Sequence, residues 1–124
     1  LRGGDIICVL GCGGDRDKAK RPLMATAAEM YAQHIVLTSD NPRSESPGDI
    51  LRDMCAGLKA PQSARIVIDR AQAIAQAIQH ANQNDLVLIA GKGHETTQEI
   101  NGVKYPFSDQ SHAQQAIHNR SIHV

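Results

Sequence analysis

The chain has 124 residues, enough for one domain with a real core, and its thirteen Lys and Arg balance thirteen Asp and Glu. With no basic excess and only three aromatics, Tyr31, Tyr105 and Phe107, it offers neither a phosphate-backbone footprint nor a base-stacking platform, so no nucleic-acid partner is expected. Apolar stretches of about five residues fall far short of the roughly 20 that span a bilayer, and no charged-then-apolar leader opens the chain; a cytoplasmic protein with no membrane partner is expected.

Leu1-Arg2-Gly3-Gly4 leads almost directly into a first apolar run, Ile6-Ile7-Cys8-Val9-Leu10, so any element preceding that strand in a larger protein is expected to lie outside this chain. Three further runs follow: Ile35-Val36-Leu37, Ile66-Val67-Ile68 and Leu86-Val87-Leu88-Ile89. All are β-branched and unbroken by polar residues, the pattern of strands buried on both faces. Between them lie segments with helical spacing. The first presents Leu23, Ala27, Met30 and Tyr31, the second Leu51, Met54 and Leu58, and the third Ile74, Ala77, Ile78 and Ala81. Pro22 and Ser46-Pro47 fit helix entries, and Gly57 fits a helix end.

Strand alternating with helix predicts an α/β fold, a mostly parallel sheet with helices on both faces. After Ala90 the pattern changes. Thr96 to Ile100 and Val103 to Phe107 flank Asn101-Gly102, the dipeptide best suited to a two-residue hairpin turn. Ser108-Asp109 then offers a cap for a last helix through Ala113, Ala116 and Ile117.

Three cysteines, Cys8, Cys12 and Cys55, favour reduced thiols over a disulfide framework. The six histidines, His34, His80, His94, His112, His118 and His123, form no grouping with metal-ligand spacing, so no metal is expected in this chain. Cys12, in a glycine-rich turn, is expected to be a small filler.

In an open parallel sheet the loops leaving the carboxyl ends of the strands share one rim, and ligands bind there. The loop after the first strand reads Gly11-Cys12-Gly13-Gly14-Asp15-Arg16-Asp17-Lys18; after the second, Ser39-Asp40-Asn41-Pro42-Arg43; after the fourth, Gly91-Lys92-Gly93-His94-Glu95. Asp40 can hold an ammonium, Arg43 can take a carboxylate through parallel hydrogen bonds, and Asn41 can donate and accept, a set suited to a small zwitterion. Pro42 disfavours the helical region for Asn41 and so pre-shapes the turn; the alternative for this tetrapeptide is an Asx-type turn with no ligand. The first loop has neither G-x-G-x-x-G nor G-x-x-x-x-G-K-[ST], and the third places Gly93 where the latter needs Ser or Thr, so a phosphate cradle is not supported. The glycines of the first loop could bring Arg16 across to the Asp40 loop, or Arg16 could pair locally with Asp15 or Asp17. In the third loop Glu95 is a second carboxylate for an ammonium and Gly91 a bare backbone contact, whereas Lys92 and His94 could face phosphate, water or solvent.

Taken together, Gly11 to Lys18 with Lys20-Arg21-Pro22-Leu23-Met24 resembles the first strand loop in the C-terminal domain of a Mur ligase. Asp40-Asn41-Pro42-Arg43 is similar to the amino-acid-recognition motif of the member that adds meso-diaminopimelate, and Gly91 to Glu95 with Pro106-Phe107-Ser108-Asp109 matches further on. The resemblance covers nearly all of residues 1–124, in family order. It implies a Rossmann-like C-terminal domain, without its first segment, from a three-domain cytoplasmic enzyme. The absent N-terminal and central domains would hold a UDP-sugar and ATP with magnesium. The implied reaction joins meso-diaminopimelate to UDP-N-acetylmuramoyl-L-alanyl-D-glutamate through an acyl phosphate, in peptidoglycan synthesis. By the same resemblance Arg16, Asp40, Asn41, Arg43, Gly91 and Glu95 bind diaminopimelate, none is a covalent catalyst, and the chain alone binds no ATP or Mg2+ and turns nothing over.

Diaminopimelate carries an ammonium and a carboxylate at each end, which the acid-amide-arginine set accommodates. L-lysine lacks the distal carboxylate and would leave the Arg43 guanidinium unpaired, a penalty of roughly 2–5 kcal/mol. Two departures stand out. No central-domain phosphate loop is present, and Ala25-Thr26 replaces an expected glycine-containing stretch, which bears on the packing of the first helix. Rival readings are the lysine-adding Mur ligase, disfavoured by Arg43, and a stand-alone module that binds a small amino acid.

Overall fold

A computed structural model describes residues 4–91 and 95–122. Lys92, Gly93 and His94, whose roles the sequence leaves open, lie outside the described residues, as do Leu1 to Gly3 and His123. The chain runs β1 (Ile6–Cys12), α1 (Lys20–Tyr31), β2 (His34–Ser39), α2 (Pro47–Cys55), β3 (Arg65–Ile66), α3 (Arg70–His80), β4 (Leu86–Ala90), β5 (Thr97–Ile100), β6 (Val103–Pro106) and α4 (Asp109–Ile122). The first four strands form one parallel sheet in the order β3-β2-β1-β4, and β5 and β6 form a separate antiparallel pair. The α/β class, the parallel sheet and the hairpin are therefore as the sequence predicts.

Side chains alternate across β1 and divide the core in two. Cys8, Leu10 and Cys12 meet α1 and α2 on one face, packing with Ala25, Ala28, Leu51, Met54 and Leu58. Ile7 and Val9 meet α3 and α4 on the other, with Ala73, Ile74, Ala77, Ile78 and Ala116. The predicted faces of the second and third helices are the buried ones. That of the first is not: Leu23 and Met30 are 67% and 84% exposed, whereas Ala25 is 0% exposed and Arg21 and Ala28 are also buried. Close packing decides this. Gly57, just past α2, lies so near Pro22 that a Cβ there would stand 1.9 Å from the Pro22 carbonyl oxygen, and Thr26 Oγ1 donates to the carbonyls of Pro22 and Gly57. Small residues permit that approach; leucine and methionine on this face would hold the two helices apart.

Burial of every strand on both faces also fails at the edges. Of the third run only Ile66 falls within β3, Ile66 and Ile68 are exposed, and Leu86 and Leu88 of β4 lie open on the α1 side. β3 and β4 are the outer strands, covered less fully than β1 and β2.

At the hairpin turn Asn101 and Gly102 both have positive φ, +50° and +80°, as a type I′ turn requires. Ser108 Oγ accepts from the Ser111 amide and caps α4, while Asp109 turns its carboxylate elsewhere. The three cysteines are free thiols. Burial pushes the Cys12 thiol up to about 11, consistent with a filler rather than a nucleophile.

Candidate functional site

The chain leaves β1 for β2 and β3 on one side and returns for β4 on the other, so the strand order reverses between β1 and β4. The crevice at the carboxyl ends of such a pair is where ligands bind in open α/β sheets. Here a cleft of about 350 Å3 is lined by Gly11, Gly13, Arg16, Arg21, Asp40 and Gly91, among others. It thus draws on all three loops singled out from the sequence. Gly91 has φ +111°, and a Cβ there would meet the Gly11 carbonyl oxygen at 2.6 Å, so this crossing of backbones demands glycine.

The first two loops are knitted by backbone and side chain. The Gly14 amide donates to the Asn41 carbonyl at 2.7 Å, and a Cβ on Gly14 would lie 1.9 Å from the Pro42 carbonyl oxygen. Asp15, itself at φ +53°, accepts from the Ser44 hydroxyl at 2.7 Å and from its amide. These bonds hold the Asp15 carboxyl below the usual carboxylate range. Gly13 sits between the two site arginines: a Cβ on it would stand 2.9 Å from Arg43 Nη1 and 3.8 Å from Arg16 Cγ. Arg16 itself donates to the Asp15 carbonyl, 3.1 Å away, from an exposed position on the cleft wall.

Asp40 and Asn41 are buried, although both are polar. Asn41 acts as a two-way tie: its Nδ2 donates to Glu95 Oε1 at 3.2 Å, and its Oδ1 accepts from the Glu99 amide at 2.9 Å. The Asp40 carbonyl accepts from Gln98 Nε2 at 2.6 Å. Asp40, Asn41 and Glu95 are therefore brought to one place, and the hairpin is the surface that gathers them.

Arg43 takes the left-handed conformation, φ +53°, which costs a non-glycine residue on the order of 1 kcal/mol. The edge of β5 holds it there. Its amide donates to the Glu99 carbonyl at 3.0 Å and its carbonyl accepts from the Asn101 amide at 2.7 Å, a one-residue parallel bridge opposite Ile100. Its side chain is already engaged. Nη1 donates to the Gly14 carbonyl at 2.9 Å, and Nε lies 3.4 Å from Glu99 Oε1. The sequence reading treats this guanidinium as a fork awaiting a carboxylate. In the fold Gly14 and the Glu99 carboxylate occupy two of its sides, through a hydrogen bond at Nη1 and an ion pair at Nε, and Nη2 makes no hydrogen bond among the described residues.

Two buried arginines that sequence reasoning passed over support the rim. Arg21, 2% exposed, reaches Glu45 through both terminal nitrogens, at 3.1 and 2.7 Å, and also donates to Asp53 at 2.9 Å and to the Gly13 carbonyl at 3.1 Å. Glu45 in addition accepts from the Asp15 amide, and these donors, Arg21 first, pull its carboxyl down to about 2. Arg70, 1% exposed, pairs with Asp109. A charged residue within an otherwise apolar helical face is the signal that could have identified either one, since burial requires a partner.

A parallel sheet whose carboxyl rim gathers both charge signs around glycine-lined backbone belongs to the ligand-binding α/β domains. Residues 1–93 match the family model described as "Mur ligase, glutamate ligase domain". The chain belongs to the Mur ligase family. It is 53% identical over 123 residues to the UDP-N-acetylmuramoyl-L-alanyl-D-glutamate--2,6-diaminopimelate ligase of Ralstonia nicotianae, covering 99% of this chain and 24% of that protein. The ligase of the same name from Coxiella burnetii is 54% identical over 114 residues, 92% of this chain and 23% of its own length. A solved structure of a ligase with that name superposes with a TM-score of 0.89 at 45% identity, covering 94% of this chain and 24% of that one. The chain thus spans about a quarter of the length of the curated relatives it matches.

Proposed function

We propose that residues 1–124 form the C-terminal, amino-acid-binding domain of an ATP-dependent ligase that adds meso-diaminopimelate to UDP-N-acetylmuramoyl-L-alanyl-D-glutamate in cytoplasmic peptidoglycan synthesis. The observation that carries this reading is the convergence of Asp40, Asn41, Arg43, Gly91 and Glu95, with Arg16 on the cleft wall, at one sheet rim. A two-headed amino acid needs an acceptor for its ammonium groups and a donor for its carboxylates, and this rim supplies Asp40 and Glu95 for the first and Arg16 and Arg43 for the second. Gly91 lines the same cleft, its α-carbon seated against the Gly11 carbonyl.

Among the described residues no group of three His, Cys, Asp or Glu side chains is placed to hold a metal ion, and the Gly11 to Lys18 loop has neither phosphate-cradle motif, for magnesium and ATP respectively a reason to look elsewhere in the longer protein. We assign both to the parts of the longer protein that hold the UDP-sugar and activate its carboxylate. The part played by this domain is to hold the amino acid by both charged ends. No helix among the described residues is long and apolar enough to cross a membrane.

The test is an amide-resolved NMR titration of the 124-residue chain with millimolar meso-diaminopimelate, with L-lysine in parallel. Shifts centred on Gly14, Asn41, Arg43 and Glu95, larger for diaminopimelate, are expected. Shifts confined to other faces, or equal responses to both amino acids, would count against the assignment. Product formed by the purified chain supplied with ATP, Mg2+ and both substrates would overturn the division of labour.

A further inference from the structure

We infer that Arg70, oriented by Asp109, is a positioning residue that sets the separation of the loops carrying Asp40 and Gly91; this deepens, and rests on, the amino-acid-binding reading. Arg70 is the first residue of α3 and Asp109 the first of α4. Nε and Nη2 donate to the two Asp109 oxygens, each at 2.7 Å, a fork-to-fork pair that fixes the guanidinium plane. What remains of the guanidinium spans the carboxyl edge of the sheet. Nη1 donates to the Ser39 carbonyl at 3.3 Å and Nη2 to the Ala90 carbonyl at 3.2 Å.

Ser39 immediately precedes Asp40, and Ala90 immediately precedes Gly91. They close β2 and β4, which flank β1 and make no ladder with each other, so the guanidinium is a direct tie between the two loop origins. β1 makes room for it: a Cβ on Gly11 would lie 2.7 Å from Arg70 Nη1. Asp109 is free for this task because Ser108 caps α4.

Stability alone is a weak reason for such a pair, since removing two charges from water offsets much of their attraction and an apolar pair can fill the same volume. Direction is what the planar fork adds. An apolar replacement can fill the space, but it cannot bond two carbonyls on separate strands. A rim that must meet both ends of one amino acid depends on that spacing, and small misplacement of binding groups is costly.

The test uses Asp109→Asn and Arg70→Lys in the complete ligase that carries this domain, with KM measured for each of the three substrates and thermal unfolding followed alongside. KM is a property of the folded fraction, so partial loss of protein does not obscure it. Both variants should raise the KM for diaminopimelate about tenfold, with the values for ATP and the UDP-sugar peptide within about twofold of the parent. An unchanged diaminopimelate KM with a lowered unfolding midpoint overturns the inference, as does a parallel rise in all three constants. So does failure of both variants to give soluble protein, because the pair would then be a requirement of folding. Arg43→Ala serves as the separate control: if it leaves the diaminopimelate KM unchanged, the amino-acid-site reading fails irrespective of Arg70.

Discussion

Replacing Arg43 by alanine should erase most of the discrimination between meso-diaminopimelate and L-lysine, by an amount the surroundings of the side chain limit. A free, partly buried guanidinium would penalise lysine by roughly 2–5 kcal/mol. Arg43 is not free: the Gly14 carbonyl at 2.9 Å and Glu99 at 3.4 Å already compensate part of its charge when no ligand is bound. The gain from a distal carboxylate then comes chiefly from the Nη2 end, about one charged hydrogen bond, or ~1.5–3 kcal/mol. That corresponds to about 10- to 150-fold in relative affinity. The assay is the ratio of kcat/KM for the two amino acids, parent against Arg43→Ala, in the complete ligase, with calorimetric binding as a check. A ratio that does not change refutes the assignment of Arg43. A change of several thousandfold would instead mean that Glu99 and Gly14 do not share the guanidinium, and the energetic reasoning would be wrong although the residue was right.

Glu45 has a folded pKa of about 2, below its ordinary value, so its contribution to stability is complete above pH ~4.5 and is lost as pH falls toward 2. Denaturant midpoints measured from pH 5 to pH 2 should therefore decline less steeply for Glu45→Gln than for the parent, and matching slopes would refute the pairing with Arg21. Ile74, fully buried between α3 and the sheet, should cost about 2–5 kcal/mol as alanine in urea unfolding, and less than 1 kcal/mol would mean that this face is loosely packed. Gly57→Ala should destabilise by a few kcal/mol through the Pro22 carbonyl, whereas Leu23→Ala on the exposed face of α1 should stay within about 0.5 kcal/mol; comparable losses would contradict the packing of α1 described here.

Much of the fold was legible because its signals are local. Runs of β-branched residues, the helical spacing of Leu51, Met54 and Leu58, and Asn101-Gly102 each act over a few residues, and the chain folds accordingly. The proposed site residues were legible as types clustered after strands. What escaped were partners distant in sequence: Arg21 with Glu45 and Asp53, Arg70 with Asp109, and Glu99 beside Arg43. The outward face of α1 was missed for the same reason, since its packing is set by Gly57 and Pro22 across two elements.

The sequence by itself determined the α/β alternation, the hairpin and the three charged glycine-rich loops, because backbone propensity, turn chemistry and apolar periodicity are properties of neighbouring residues. Only the tertiary structure decided that β2, β1 and β4 lie side by side, that the hairpin supplies Glu99 to Arg43, and that two buried guanidiniums bind the rim together. Those outcomes depend on which carbonyl or carboxylate a buried charge can reach once the sheet has formed. The Arg70–Asp109 pair spans 39 residues of chain and the Arg43–Glu99 pair more still, beyond what any local pattern encodes.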